Sequence, residues 1–234
     1  MCGRIAQFSA WQSYVEALEL VRSEASTPHA WAPRYNVGPG TRPLMIDSAG
    51  EVSPMWWGYR PHWAVSRNVP AMINARADKI TSATWKPLLR TGRVIIPADN
   101  WFEWIIDTDG KKQPVLLKAR NNKPLFLAGL CSVKESHSDG PRDPEHGAGM
   151  VDGMVIVTDA SDRGMVDIHD RRPVALNAVD ARLWLDPDTT LELAAELART
   201  GARPVEEFEW YKVSRDVNRS GHDGPALIKP IEDD

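Results

Sequence analysis

Short runs of hydrophobic residues broken by polar positions dominate the chain between residues 44 and 158. The runs are rich in Val, Ile, Leu, Phe and Trp, and Pro, Gly or Asp-Gly separates them, as is typical of short strands joined by turns. We therefore predict strands at 44–46, 52–57, 93–96, 101–106, 115–118, 125–131 and 154–158. Strands that follow one another so closely are expected to pair in antiparallel order.

Near the start of the chain the apolar spacing changes and predicts a helix at 10–24. The apolar positions of this helix are Tyr14, Val15, Leu18 and Val21. Ser9 and Gln12 stand in the S-x-x-Q order of a capping box, so we expect Ser9 to cap the helix.

Two further helices are predicted at 178–185, with Asn177 as the N-cap, and at 190–200, with Gly201 at the end. Because the strands cluster apart from the helices, we expect an α+β fold in a single domain over residues 1–234. Curved antiparallel sheets are expected to form a pseudo-barrel flanked by these helices. A polar, Gly/Pro-rich stretch at 134–153 predicts a mobile surface loop.

The composition indicates a globular protein with reduced cysteines and no membrane span. A hydrophobic content of 42% over 234 residues is enough for a substantial core. The sequence contains neither a secretory signal nor a run of apolar residues long enough to cross a bilayer, so we expect a cytoplasmic protein without a membrane partner. The two cysteines, Cys2 and Cys131, are expected to be reduced thiols. The six histidines form no close ligand pair, so we expect no metal and no cofactor.

Charge is distributed unevenly. The net charge of the chain is -4, but residues 1–100 carry 11 Lys and Arg against 7 Asp and Glu, which is a net +4, while the remainder carries -8. Eight of the ten tryptophans also lie in residues 1–104. Most should fill the core, but rings and arginines together also suit a groove that stacks the bases of a single strand.

Cys2 is the residue with the most distinctive chemistry. Removal of Met1 would leave an amine and a thiol on adjacent carbons, a 1,2-aminothiol. An α-amino group has a pKa of roughly 7.7 to 8.0 against about 10.4 for lysine, so far more of it is nucleophilic at neutral pH. It can attack an aldehyde, and the thiol can then close a five-membered thiazolidine. By position alone, a cysteine at residue 2 is more often incidental, so other motifs have to decide.

Several motifs occur in order along the chain: MCGR, RYNVGPGT, WWGYRPHW, INAR, IIPADNWFEW, VTDASDRGMVDIHDRRPVAL, VSRDVN and ALIKP. Together they resemble the SOS-response-associated peptidase family, whose members process abasic sites in DNA. The resemblance implies that Cys2 is the nucleophile, Asn74 the amide that orients it, Glu103 the catalytic carboxylate and His169 the catalytic imidazole. It also implies damage-induced action on single-stranded DNA that contains abasic sites.

The reaction with an abasic sugar requires such groups independently of the resemblance. An abasic sugar is mostly a closed hemiacetal, so one proton must reach the ring oxygen and another must leave the attacking amine. We expect Glu103 to handle the amine proton and His169 the sugar oxygen, although the two roles can be exchanged. Taken alone, Glu103 would more often be the outward member of an alternating strand. If it points inward instead, burial should raise its pKa.

Other residues in these motifs are candidates for DNA contacts. We expect Arg4, Arg76 and Arg171 to meet phosphates, Arg171 with the least support of the three, whereas Arg172 could equally be a buried ion-pair residue. The remaining candidates approach the strand by backbone or by stacking: Asn36, Gly38, Pro39 and Trp63. Asp78 stands where the family usually shows a glutamate, so its role stays open.

Two alternatives remain at this stage. A thiol peptidase would use Cys2 to remove Met1 from its own chain. A non-catalytic single-strand-binding module would stack bases on its tryptophans and leave Cys2 incidental. In each case we expect a monomer, since a covalent or stacking shield needs one site and no heptad is visible.

Overall fold

The computed structural model describes residues 2–20, 31–132 and 153–231. The loop predicted at 134–153 therefore lies outside the described residues, apart from Gly153, which begins a strand. The helix predicted at 10–24 ends at Ala17, with Leu18 as its C-cap, so the predicted end is wrong; residues 21–24 of that range lie outside the described residues.

The described residues form thirteen strands and five α-helices. The strands are β1 (Ile5–Gln7), β2 (Arg34–Val37), β3 (Leu44–Ile46), β4 (Val52–Pro54), β5 (Asn74–Arg76), β6 (Arg93–Ala98), β7 (Asn100–Ile106), β8 (Lys112–Ala119), β9 (Leu125–Ser132), β10 (Gly153–Ala160), β11 (Arg171–Pro173), β12 (Ala175–Leu176) and β13 (Phe208–Lys212). The helices are α1 (Trp11–Ala17), α2 (His62–Ser66), α3 (Lys86–Thr91), α4 (Ala178–Leu185) and α5 (Leu191–Thr200). Short 3-10 helices lie at Ala77–Lys79, Arg163–Met165, Val205–Glu207, Arg215–Asn218 and Pro225–Ile228.

The smaller sheet has the order β13-β8-β7-β1-β2 and is antiparallel throughout. Its first and last strands in sequence, β1 and β13, thus belong to one sheet. β1 lies beside β7 with Ile5 opposite Trp101, and the Phe102 amide donates to the carbonyl of Arg4 over 2.9 Å. The pairing extends toward residue 2 and brings it alongside the middle of β7.

The larger sheet has the order β11-β10-β9-β6-β3-β4, with β12 added to β9 and β5 added to β10. β5 runs parallel to β10, with Asn74 opposite Ile156. Helices and two sheets in this arrangement confirm the predicted α+β class. Neither sheet closes on itself, and the pair is compatible with the predicted pseudo-barrel.

Two large apolar clusters hold these layers together. In one, the helices α1, α3, α4 and α5 pack their buried residues against the larger sheet, around Leu89 and Trp184. The other is shared by both sheets and contains Cys2 with Trp57 and Trp101. Cys2 therefore belongs to the interior that joins the two sheets.

The start of α1 differs from the prediction. Its N-cap is Ala10, and no side chain caps the helix, so the predicted capping box of Ser9 and Gln12 is wrong. The hydroxyl and the amide of Ser9 both bond to the carboxylate of Asp99, which also accepts from the Tyr14 hydroxyl. Because Ser9 bonds to Asp99, which lies between β6 and β7, the start of helix α1 is held by a tertiary contact rather than by a capping side chain.

The two closing helices agree with the prediction. α4 spans Ala178–Leu185, and the Asn177 side chain accepts from the amide of Asp180 over 2.9 Å. α5 ends before Gly201 as expected. Across the described ranges, no helix combines the length and apolar character needed to cross a membrane.

Candidate active site around Cys2

Cys2 lies just before β1 and has no exposed surface. Burial raises the pKa of its thiol, and the neighbouring Glu103 carboxylate raises that pKa further. The Cys2 thiol is therefore protonated at neutral pH. A buried, protonated thiol is a weak nucleophile in comparison with a thiolate.

Asn74 joins residue 2 to the larger sheet. On β5 the neighbouring Ala75 is buried in the core, whereas Asn74 lies on the opposite side of the strand, as strand alternation requires. Its Nδ2 donates to the carbonyl of Cys2 over 3.0 Å and reaches the carbonyl of Ile156 at 3.4 Å. Its Oδ1 is buried and has no hydrogen-bond partner among the described residues. Asn74 thus fixes residue 2 and offers one acceptor within the site.

Glu103 points inward from β7 and is only 3% exposed. Burial raises its pKa from 4.5 to about 7, and the charge of Asp170 acts in the same direction. The expectation that an inward Glu103 has a raised pKa is confirmed. At neutral pH both protonation states are populated, which suits a group that accepts and returns a proton.

His169 lies in the loop between β10 and β11 and has a side chain that is 30% exposed. The amide of Arg171 donates to its Nδ1 over 3.0 Å, while Asp170 Oδ1 lies 2.8 Å from the same nitrogen. The first contact requires an unprotonated Nδ1 and the second a protonated one. Burial lowers the pKa of His169, so the contact with Arg171 describes the resting, neutral ring. Asp170 provides the partner for the protonated ring.

Asn74 approaches residue 2 from the larger sheet and Glu103 from the smaller one. Asn74 reaches residue 2 by a hydrogen bond and Glu103 by its charge, and Asp170 beside His169 acts electrostatically on Glu103. An amide and a carboxylate therefore interact with residue 2, and the His169 imidazole lies next to Asp170, whose charge acts on that carboxylate. Within the described segments, no group of three His, Cys, Asp or Glu side chains is suited to hold a metal ion.

Two of the candidate phosphate ligands lie at the edge of this site. Arg76 is exposed and forms a bidentate ion pair with Asp78, at 3.0 and 2.8 Å. Hydrogen bonding to Arg76 lowers the pKa of Asp78. Arg171 is largely buried, donates to the carbonyl of Thr158 over 2.6 Å and lies 4.0 Å from Asp78. Arg76 therefore has far more surface available to a phosphate than Arg171.

The YNVGPG segment is built around Arg4. Nη1 of Arg4 donates to Oδ1 of Asn36 over 2.8 Å, and the backbone of Gly38 packs against the guanidinium. Pro39 is exposed beside them. Trp63, on α2, is 42% exposed and thus has a ring face open to solvent.

Sequence reasoning missed two residues that shape the site. The indole nitrogen of Trp57 donates to the carbonyl of Ile73 over 3.0 Å and so fixes the start of β5. Thr158, on β10, holds the Arg171 guanidinium through its carbonyl. Trp57 lies in one of the quoted motifs, but its role depends on a contact that spacing does not reveal.

The family model for SOS response associated peptidase (SRAP) matches residues 1–220 of this chain. The chain belongs to the SRAP family. It is 38% identical to the abasic site processing protein YedK of Escherichia coli (strain K12), over 99% of this chain and 100% of that protein. It is 28% identical to the abasic site processing protein HMCES of Gallus gallus, over 86% of this chain and 67% of that protein.

Two solved structures have a similar fold. A phage-related protein from Bordetella bronchiseptica superposes with a TM-score of 0.75 at 37% identity, covering 92% of this chain and 95% of that one. A protein from Bacteroides thetaiotaomicron has the same TM-score at 18% identity, covering 99% of this chain and 100% of that one. The second likeness indicates a shared fold.

Proposed function

We propose that this SRAP protein processes abasic sites in single-stranded DNA by forming a covalent thiazolidine crosslink through Cys2. The observation that carries the proposal is the hydrogen bond from Asn74 to Cys2 beside Glu103, a carboxyl whose pKa is raised to about 7. The names of the relatives, which are abasic site processing proteins, support the same substrate. The protein is expected to act as a monomeric single domain in the cytoplasm and at damaged DNA.

The reaction begins with the loss of Met1, which frees the nitrogen of Cys2. Opening of the sugar moves the proton of the C1′ hydroxyl to the ring oxygen. His169, once protonated against Asp170, donates the proton that reaches the ring oxygen, and Glu103, as a carboxylate, accepts the proton that the α-ammonium group of Cys2 must lose before it attacks. The neutral amine then adds to the aldehyde carbon, and loss of water leaves an imine.

Ring closure completes the crosslink. The thiol sulfur of Cys2 bonds to the imine carbon, and the S–H proton passes to the nitrogen, so no oxidant or reductant is needed. This order suits a thiol whose pKa is raised by burial, because the sulfur attacks last and at close range. The same pKa argues against a thiol peptidase, which needs a thiolate as its first nucleophile.

The burial of Cys2 has a direct consequence for access. Since Cys2 has no exposed surface, a sugar can reach it only after neighbouring atoms leave or move. Removal of Met1, required in any case to free the amine, also removes the atoms bonded to that nitrogen. The partly exposed ring of His169 then marks the open side of the site. Arg4 and Arg76 are the proposed phosphate contacts, with Pro39 and Trp63 beside the bases; the more buried Arg171 remains a weaker candidate.

The test is a denaturing gel of mature protein mixed with single-stranded DNA that carries one abasic site. The parent should give a shifted, heat-resistant band, and Cys2→Ala should give none. Cys2→Ser keeps the amine and lacks the sulfur, so it should crosslink only when borohydride reduces the imine. DNA with a tetrahydrofuran site has no aldehyde and should give no band. A band with Cys2→Ala as strong as with the parent would overturn the proposal.

The two alternatives have different readouts. A non-catalytic binding module would shift DNA in native gels and give no band after denaturation. Self-cleavage would release methionine from purified unprocessed protein, which mass spectrometry detects. The crosslink requires the free amine whichever way Met1 is removed.

A further inference from the structure

Asn36 connects the Arg4 guanidinium to a distant part of the chain. Its Oδ1 accepts from Nη1 of Arg4 over 2.8 Å. Its Nδ2 faces three backbone carbonyls, those of Val217 at 3.3 Å, Arg219 at 3.4 Å and His222 at 2.8 Å. The amide thus bridges residue 4, near the start of the chain, to the segment 217–222.

All of the hydrogen-bonding capacity of Nδ2 is used in these contacts. A primary amide has two N–H donors, and both point toward the three carbonyls, while the oxygen serves Arg4. The sequence predicts that Asn36 approaches DNA through its backbone. Direct contact through Nδ2 would require it to give up bonds to segment 217–222.

The other side of Arg4 is equally confined. A Cβ added at Gly38 would lie 3.3 Å from Nε of Arg4, closer than most such contacts. Burial lowers the pKa of Arg4, but a guanidinium stays charged at neutral pH. Gly38 and Asn36 therefore hold the cation between them, and its direction is set by these two residues.

We propose that Asn36 is a positioning residue that aims the Arg4 guanidinium at a DNA phosphate, with segment 217–222 as its support. This inference rests on the proposed function, since it needs Arg4 to contact the strand. Asn36 acts through Arg4 and does not touch DNA. An arginine held by an acceptor on one side and by packing on the other loses less side-chain entropy when a phosphate binds.

A double-mutant cycle tests this role. The binding of single-stranded DNA with a tetrahydrofuran site, which cannot crosslink, is measured at several salt concentrations for the parent, Arg4→Ala, Asn36→Ala and the double variant. The slope of log K against log salt is negative, and loss of one phosphate contact should reduce its magnitude by about 0.7. Each single variant should show that loss, and the double variant should show no further loss, because both changes remove the same contact. Additive losses would overturn the proposal, since they would mean that Asn36 contributes independently of Arg4.

Asn218→Ala is the matched control. Asn218 ties the same C-terminal segment to Trp104 and to the carbonyl of Lys112 without touching Arg4. It should leave the salt slope unchanged even if the melting temperature falls. If the magnitude of the salt slope fell equally in this control, loosening of segment 217–222 would be enough to explain the effect. That result contradicts a specific role for Asn36.

Gly38→Ala provides a second route if Asn36→Ala does not fold. The added methyl group displaces the guanidinium and leaves Asn36 in place, so the magnitude of the slope should fall as it does for Arg4→Ala. An unchanged slope would show that the position of Arg4 does not matter. Failure of the parent to crosslink an abasic site would refute the proposed function instead, and that result is read from a separate gel.

Discussion

The side-chain amide of Asn74 donates a hydrogen bond to the backbone carbonyl of Cys2 over 3.0 Å. This bond joins β5 of the larger sheet to the residue that precedes β1 of the smaller one. Cys2, the proposed nucleophile, is therefore fixed by a contact between the sheets rather than within its own strand.

Asn74→Asp tests whether the hydrogen bond that positions Cys2 matters for the reaction, because it removes that bond and keeps the size of the side chain. A carboxylate of the same size cannot donate to the carbonyls of Cys2 and Ile156 and would face two oxygens instead. We expect crosslinking to slow by roughly 100-fold, the cost of a displaced reacting group, while DNA binding changes little. Single-turnover crosslinking at saturating DNA measures the rate. A control is Asn122→Asp, an exposed amide that accepts from Lys118, and it should retain the parental rate.

The stability of the protein should depend on pH through Glu103. Its pKa is raised on folding from 4.5 to about 7, so the folded state binds the proton more tightly than the unfolded chain does. The free energy of unfolding should therefore fall as pH rises from about 4.5 to about 7, and change no further above that. At 1.36 kcal/mol per pKa unit, the full effect is at most roughly 3 kcal/mol.

Glu103→Gln removes this dependence because an amide does not ionise. Urea unfolding at pH 4 and pH 8 should show parent and variant with similar stability at the lower pH and a more stable variant at the higher pH. The same variant should crosslink at least about 100-fold more slowly, since the proton acceptor is lost. A variant that is less stable than the parent at pH 8 would contradict an ionisable Glu103 in a buried position.

Asp170 should set the pH range of the reaction. Its charge raises the pKa of Glu103 and of His169, so Asp170→Asn lowers both. The profile of crosslinking rate against pH is then displaced toward lower pH. Because Asp170 is 80% exposed, the displacement should shrink in high salt. Rates of the two proteins measured across the pH range in low and high salt check this, and a displacement toward higher pH would refute it.

Arg93 should be a major determinant of stability. Its guanidinium, 6% exposed, donates to carbonyls at the ends of α3 and α4, among them Leu89, Trp184 and Asp186 at 2.6 to 2.7 Å. Arg93→Met leaves these carbonyls without donors and should cost about 3 kcal/mol or more. The midpoint of urea unfolding measures the loss. Arg90→Met, an exposed change on α3, should cost no more than about 0.5 kcal/mol, and equal losses would contradict the assignment.

The sequence predicted the elements whose signals are local. β3 has the predicted bounds, and α4 begins at the predicted Asn177 because cap and apolar spacing lie together in the chain. β1 and β5 were not predicted, since β1 pairs with β7 and β5 with β10, far away in sequence, whereas β3 pairs with the neighbouring β4. The predicted cap by Ser9 failed for a similar reason, because Asp99, about 90 residues further along, takes the hydroxyl.

The candidate site, too, combines features that a local sequence pattern predicts with features that depend on contacts between distant residues. Cys2, Asn74, Glu103 and His169 came from motifs, and the structure adds the links of Asn74 and Glu103 to Cys2 and of Asp170 to His169. Whether Glu103 points inward was open from the sequence, because the alternation of a strand does not say which face is buried when both neighbours are aromatic. The contacts of Asn36 join positions more than 180 residues apart, so no local pattern reveals them.

The smaller sheet pairs β1 with β7 and β8 with β13, so strands from both halves of the chain must meet before it is complete. During translation, Cys2 leaves the ribosome long before Glu103 and His169 have been made. Contacts between residues so far apart in sequence form slowly, because a long loop of chain must close first. On the proposed mechanism, the nascent terminal cysteine thus has only the reactivity of an ordinary aminothiol, and Glu103 and His169, its proposed proton acceptor and donor, reach it only late in synthesis.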